Sequence, residues 1–372
     1  MKNKIFISQP YLDNYDKKNL VETFDSTWIS SNGNNILNFE KSFQKYTGSN
    51  YSLTCSNGTI AIELALKSLK VKSGDEVIVP NLTFAATINA VINVGATPVL
   101  VDVNRNDFGF NKDELTRSIN KKTFAIIFVH LLGIPVNIKK NLSGIKKKFF
   151  IIEDCAESLG AKIDGVHTGF NADCSTFSFF SNKIITTGEG GMINFKNKNV
   201  FNLAKKIKNQ GRLNSKYYWH DKIGGNYRLT NMQASIGISQ LKKINNLLKM
   251  RKEIYKIYDK KFEKIKVIHP LHLIINCDFN NISYWYYTFF IDNLGLKKRD
   301  KLIKDMLKSG VETRPLFYPL SDMKIYKKFL KGGCNNSKLW SYNSMSIPTY
   351  PNLRRIEINY VASTLIKHLQ LK

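Results

Sequence analysis

Short β-branched runs alternate with helical ones over the first half of the chain. The runs are Tyr51–Cys55, Glu76–Pro80, Pro98–Val103, Phe124–His130 and Phe149–Asp154, with helical spacing of apolar residues over Thr59–Leu69 and Ala85–Val94. Strands separated by helices pair in parallel, so the pattern predicts an α/β domain with a mostly parallel sheet covered by helices. A helix is expected earlier, near Ile36–Tyr46. The Ser175–Phe180 and Gly191–Phe195 runs are separated by a Gly-rich turn, which allows one strand of opposite sense and makes the sheet mixed.

From Asn231 onward, Met232, Ile236, Leu241, Ile244 and Leu248 recur at roughly helical spacing and predict a long helix bridging two lobes. Beyond Arg251 the order is helix, a β-rich Tyr284–Ile291 segment, helix Lys297–Lys308, irregular structure and a terminal helix Ile356–Leu369. That order reads as a smaller C-terminal α+β domain. The division is placed at 1–250 for the large domain and 251–372 for the small one, on pattern alone, since neither a repeat nor a Pro- or Gly/Ser-rich linker marks it.

Composition narrows the classes of function. A chain of 372 residues with 43% hydrophobic content buries a substantial core, so its charge does not signal disorder. The net charge of +27 raises a nucleic-acid reading, as the alternative of a different class. Lysines such as Lys70, Lys72, Lys139, Lys140, Lys146, Lys147 and Lys148 stand among Asn and Ile residues, without aromatic interleaving or a recognition-helix pattern, so no nucleic-acid partner is expected. A basic surface still draws in a diphosphate-bearing substrate. Cys55, Cys155, Cys174, Cys277 and Cys334 are odd in number and form no CxxC pair, which fits a reducing cytoplasm and assigns no metal site. The first twenty residues hold too short an apolar run for a signal peptide, and no stretch approaches a membrane span; a soluble, unprocessed protein is expected.

Three segments carry chemistry. Thr54 to Ala61 runs from a strand end through Gly58-Thr59 into a helix, where a close-lying backbone, free N–H groups and the Thr59 hydroxyl can meet an anion; alone, the same residues are a turn and an N-cap. Asp154 closes a buried strand, at the end where ligands bind in open α/β sheets, although a capping aspartate has the same sequence. Lys183 follows the aromatic run Phe177-Ser178-Phe179 and precedes Thr186-Thr187-Gly188-Glu189-Gly190-Gly191, which places it near the interior, where desolvation favours the nucleophilic amine. His130, at the end of its own run, reads as a structural histidine.

Together with Gly225 to Ala234 (Gly-Asn-Tyr-Arg-Leu-Thr-Asn-Met-Gln-Ala), these motifs resemble, over nearly the whole chain, the sugar-nucleotide aminotransferases of the DegT/DnrJ/EryC1/StrS family. The resemblance implies a fold-type-I enzyme that holds pyridoxal 5'-phosphate (PLP) as a Schiff base on Lys183, with Asp154 at the pyridine nitrogen. It implies Gly58, Thr59 and Ser178 at the cofactor phosphate and Phe84 stacked on the ring. Asn226 matches a residue that reaches the neighbouring subunit's cofactor, which implies a homodimer with shared active sites. Glu157 stands where many relatives have glutamine near the ring hydroxyl. Val311 to Leu320 is most like the stretch in the branch that aminates C4 of GDP-4-keto-6-deoxymannose to GDP-perosamine, with Arg314 and Tyr318 as substrate contacts and L-glutamate as amino donor. Amination at C3, or of a UDP- or dTDP-linked sugar, is the alternative. A lysine at 183 argues against the dehydratase branch, which has histidine there.

Overall fold

The computed structural model describes residues 4–369 apart from 147, 214, 276 and 277, so Lys147 and Cys277 lie outside the described residues. The expected runs become strands: β1 Tyr51–Cys55, β2 Glu76–Pro80, β3 Thr97–Val101, β4 Thr123–Val129, β5 Phe150–Asp154, β6 Cys174–Ser178 and β7 Gly191–Phe195. They form one sheet in the order β1-β7-β6-β5-β4-β2-β3. β2 pairs in parallel with β3 and β4, β4 with β5, and β5 with β6. β7 runs antiparallel to both β6 and β1, because the connection after β6 contains no crossover helix. Two reversals leave β1 parallel to β6, so β1 to β6 all end along one edge of the sheet.

Central strands covered on both faces read as continuous apolar runs. In β4, Ala125, Ile126, Ile127 and Phe128 are all buried. Helices Gly58–Ser68 and Ala85–Asn93 cover one face, where Ala65, Ile88 and Ile127 share a core. Helix Asn34–Thr47 covers the other, packing Phe39 and Phe43 against Phe177 and Phe179.

The second half departs from expectation at the long helix and in the segment expected to be irregular. The pattern from Asn231 is two helices, Asn231–Lys242 and Ile244–Phe262, broken at Lys243. Lys243 is held there by Asp13 at 2.8 Å and Asp16 at 2.5 Å, residues of an unexpected N-terminal helix, Asn14–Asp25, whose capping box is formed by the same two aspartates. Position 250 falls inside the continuous Ile244–Phe262 helix. The segment expected to be irregular contains helix Asn335–Asn343 and two strands of a second sheet. That sheet comprises β8 Ile268–Pro270, β9 Tyr287–Ile291, β10 Arg314–Pro315 and β11 Ser344–Ile347, in the antiparallel order β8-β9-β11-β10. No helix among the described residues is long and apolar enough to cross a membrane.

Candidate active site

The edge where β1, β2, β4, β5 and β6 end opens into a cavity of about 620 Å³. It receives Gly58 and Thr59 after β1, Phe84 and Thr87 after β2, Asp154 and Glu157 from β5 and its following turn, and Ser178 and Lys183 after β6. Residues scattered over more than a hundred positions meet there because parallel strands deliver their C-terminal ends to one side.

Two glycines set the close approach at the β1 end. A Cβ on Gly58 would lie 2.9 Å from the Ser178 Cβ, and one on Gly191 would lie 2.5 Å from the Asn57 carbonyl oxygen. Asn57 caps the helix by accepting the Ile60 N–H at 2.9 Å, and its carbonyl takes the Ala61 N–H. The N–H groups of Gly58 and Thr59 have no protein partner among the described residues and stand at the mouth beside the Ser178 hydroxyl. Free N–H groups at the positive end of a helix, with a hydroxyl opposite, suit a phosphate.

Asp154 lines the cavity and is buried. Its Oδ2 accepts the Thr87 hydroxyl at 2.9 Å and its Oδ1 the Ala156 N–H at 3.1 Å. Burial raises its pKa, opposed by these bonds and by the Lys183 charge. Strand alternation sends Glu153 to the opposite side of β5. There the Glu153 Oε2 accepts the Gly169 N–H at 2.6 Å and meets the His130 Nε2 at 2.8 Å. Val136 N–H donates to the His130 Nδ1 at 3.0 Å, so Nε2 carries the proton and donates to Glu153. With both ring nitrogens engaged, His130 is structural, and in the neighbouring His130–Glu153–Cys155 group the imidazole has no free lone pair.

Lys183 projects from a knot of chain tied at its base by Phe179, whose N–H donates to the Gly190 carbonyl and whose carbonyl accepts the Thr187 N–H. Ile184 and Ile185 are buried beneath it. The Lys183 Nζ lies 3.8 Å from the Glu157 Oε1 and 4.3 Å from the centroid of the Trp285 ring. Burial lowers its pKa, with Glu157 and then Asp154 pulling the other way. Glu157 is turned in toward the lysine: its Oε2 accepts the N–H of Leu132 at 2.7 Å, from a residue in the left-handed region (φ 57°). Burial pushes Glu157 up to about 7, against the favourable pull of Lys183 and that N–H.

Glu157 therefore makes a testable contribution to stability. Its folded pKa exceeds its unfolded one, so its stabilisation is fully present below the unfolded value, near 4.5, and is lost as pH rises toward 7. Relative to Glu157→Gln, the apo wild-type protein is expected to lose about 2 kcal/mol between pH 5 and pH 8. Urea unfolding of both at the two pH values measures it; parallel behaviour would show that the carboxyl is not held as a buried acid.

The remaining expected residues divide. Phe84 is 58% exposed at the mouth, its ring 5.7 Å from that of Phe317. Arg314 and Tyr318 line an adjoining cavity of about 440 Å³, which shares Phe84, Asn182, Trp285 and Phe317 with the first. Asn226 lies outside both, its Oδ1 accepting the Arg228 Nε–H at 2.7 Å. Thr87, Asn182, Trp285 and Phe317 were not anticipated. Thr87 carried a readable signal, a hydroxyl in the first turn of the helix after β2; Trp285 had none, lying in a distant segment.

PLP fits this donor set. The free N–H groups and the Ser178 hydroxyl would hold a phosphate, the buried Asp154 carboxylate would pair with a protonated ring nitrogen, and the Lys183 amine of lowered pKa lines the same cavity. The Gly58 approach leaves the cradle open, with Ser178 as its far wall.

Comparison with known proteins agrees with the geometry. Residues 10–366 match the DegT/DnrJ/EryC1/StrS aminotransferase family. The chain is 37% identical to the GDP-perosamine synthase of Escherichia coli O157:H7 over 96% of its length and 97% of that protein's. It is 36% identical to the GDP-perosamine synthase of Caulobacter vibrioides, with 97% of each chain covered. Spr1654 of Streptococcus pneumoniae, solved in its PLP and PMP forms, superposes with a TM-score of 0.90 at 28% identity, covering 99% of both chains. The chain belongs to the DegT/DnrJ/EryC1/StrS aminotransferase family.

Proposed function

We propose that this enzyme carries PLP on Lys183 and transfers the amino group of L-glutamate to C4 of GDP-4-keto-6-deoxymannose, giving GDP-perosamine. The observation that carries the reading is the meeting of a lysine of lowered pKa, a buried aspartate and an open phosphate cradle in one cavity, joined to a second cavity with Arg314 at its wall. The sugar and nucleotide follow the names of the two GDP-perosamine synthases.

When bound, the cofactor supplies an electron sink for the carbon that loses or gains a proton. The chain supplies the rest. The N–H groups of Gly58 and Thr59, with Ser178, hold the phosphate. Asp154 keeps the ring nitrogen protonated, and Thr87 and Ala156 hold Asp154 in place. Phe84 covers a ring face. Lys183 would take the α-proton of glutamate and return a proton to the sugar carbon; the amino group passes from glutamate to the sugar, and the water consumed in releasing 2-oxoglutarate balances the water released from the keto sugar. Glu157 sits against the same amine, in the place of the ring-hydroxyl contact.

Arg314 acts on the substrate side. Its guanidinium is exposed and, among the described residues, paired with Glu312, which leaves N–H groups to meet diphosphate or sugar oxygens. Arg314→Ala is expected to raise KM for the sugar nucleotide about tenfold with little change in kcat. The decisive assay offers glutamate with GDP-, UDP- and dTDP-linked keto sugars; turnover of another sugar but not the GDP-linked 4-ketone would overturn the assignment.

The enzyme works as a homodimer in this proposal. In support, Asn226 lines neither of these two cavities, which leaves it available to a partner's cofactor, and Trp28, Tyr217, Tyr218 and Ile223 present exposed apolar surface. Sedimentation as a monomer in the presence of cofactor would sink this part. Free thiols at Cys55, Cys155, Cys174 and Cys334 suit a reducing compartment, and the cytoplasm is the proposed location.

A further inference from the structure

We propose that Trp285 is a positioning residue for Lys183: it holds the backbone beside the lysine through its indole N–H and receives the free amine on its ring face. The inference rests on the reading of Lys183 as the cofactor's lysine and adds a residue that the motifs around that lysine do not contain.

Both contacts are short and come from one side chain. Trp285 Nε1–H donates to the Asn182 carbonyl oxygen at 2.7 Å, and the Lys183 Nζ lies 4.3 Å from the indole centroid. An ammonium at this distance over an indole face is attracted by the ring quadrupole, most strongly where water is excluded. Trp285 is 3% exposed, so the contact is shielded.

The indole is itself held by the second lobe. Tyr286 stacks on it with centroids 4.1 Å apart. Arg251, buried in the Ile244–Phe262 helix, donates from its Nη1 to the carbonyls of Trp285 at 2.8 Å and Thr349 at 2.9 Å. Tyr255 donates its hydroxyl to the Tyr286 carbonyl at 2.6 Å. A guanidinium is costly to bury, and one of the two bonds from the Arg251 Nη1 fixes the approach that carries Trp285, while its Nε has no partner among the described residues.

The amine thus stands between two kinds of neighbour. Glu157 and Asp154, from β5 and its turn, attract its charge, and Trp285, from the other lobe, offers a face that accepts the ammonium without taking its proton. Trp285 also lines both cavities, so the lysine's resting place lies on the wall between the cofactor cradle and the Arg314 side.

The test uses apo protein and reads the amine itself. Labelling with an amine-acylating reagent across a pH series, followed by peptide mass spectrometry of the Lys183 peptide, gives its apparent pKa. Trp285→Leu is expected to lower that value by about one unit, roughly tenfold in the protonation constant, and Trp285→Phe to recover most of the shift. Biosynthetic replacement of tryptophan by increasingly fluorinated analogues keeps the shape and the N–H while weakening the ring face; the Lys183 pKa should fall step by step. This series decides the matter if the leucine variant does not fold. No change, a rise as water entry alone would give, or equal shifts in the leucine and phenylalanine variants would overturn the inference. Because no cofactor is needed, the two failures are distinguishable: a graded effect in a protein that never links PLP would sink the functional reading while still showing that the amine rests on the indole.

Discussion

Lys183→Ala is expected to abolish the borohydride-reducible linkage to PLP and to reduce transamination by at least about a thousandfold, since the proposed mechanism gives one side chain the roles of both covalent anchor and proton carrier. Both halves of the reaction should fail together, whichever substrate is supplied. The loss should not come from unfolding. The folded pKa of Lys183 is depressed by burial, so its contribution to stability is lost as pH falls through that depressed value, and its burial is a cost at neutral pH. Replacement by alanine removes an amine that must be desolvated, and the apo variant should unfold at an equal or higher temperature than wild type. Visible absorbance, peptide mass spectrometry after borohydride treatment and a thermal scan together decide the point. A retained reducible adduct at another lysine would end the assignment of Lys183.

Much of this cavity was legible because its parts are strand ends. Asp154 closes an apolar run and Gly58-Thr59 opens the helix after another, so the pattern of runs located them near one edge, whereas Ser178, inside the expected Ser175–Phe180 run, came from the family resemblance. The lysine followed from its position after an aromatic run whose Phe177 and Phe179 are anchored in the core. What escaped depends on contacts between distant segments. Trp285 stands 103 positions from the carbonyl it binds, and nothing in the local pattern of Tyr284 to Ile291 distinguishes it from its aromatic neighbours. The inward turn of Glu157 depends on Leu132 in a left-handed conformation, which a bulky residue adopts only under tertiary constraint. The helix break at Lys243 was hidden for the same reason: its cause is Asp13 and Asp16, more than two hundred positions away. Local sequence marks where strands end, whereas side-chain orientation within the cavity is decided by what packs behind it.

Asp154→Asn separates the electronic role of the cavity from its shape. An amide can still accept the Thr87 hydroxyl or the Ala156 N–H, but it carries no charge to keep the ring nitrogen protonated, so the cofactor should bind to Lys183 yet act as a poorer electron sink. A fall in kcat of roughly 10²- to 10³-fold is expected, with the reducible linkage retained. Stability should move the other way. Burial holds the Asp154 pKa above its ordinary value, so the stabilisation tied to its protonated form is present below the unfolded pKa and lost as pH rises through the folded one. The asparagine variant has no such loss, and the apo protein should gain stability over wild type as pH increases from the acid side. Addition of cofactor should reverse that order, because only the aspartate gains a cationic partner when the ring nitrogen arrives. Thermal scans of apo and loaded forms at acid and neutral pH, beside steady-state rates, read each of these effects. An asparagine variant that keeps wild-type kcat would remove Asp154 from the chemistry and leave it a buried acceptor for Thr87 and Ala156.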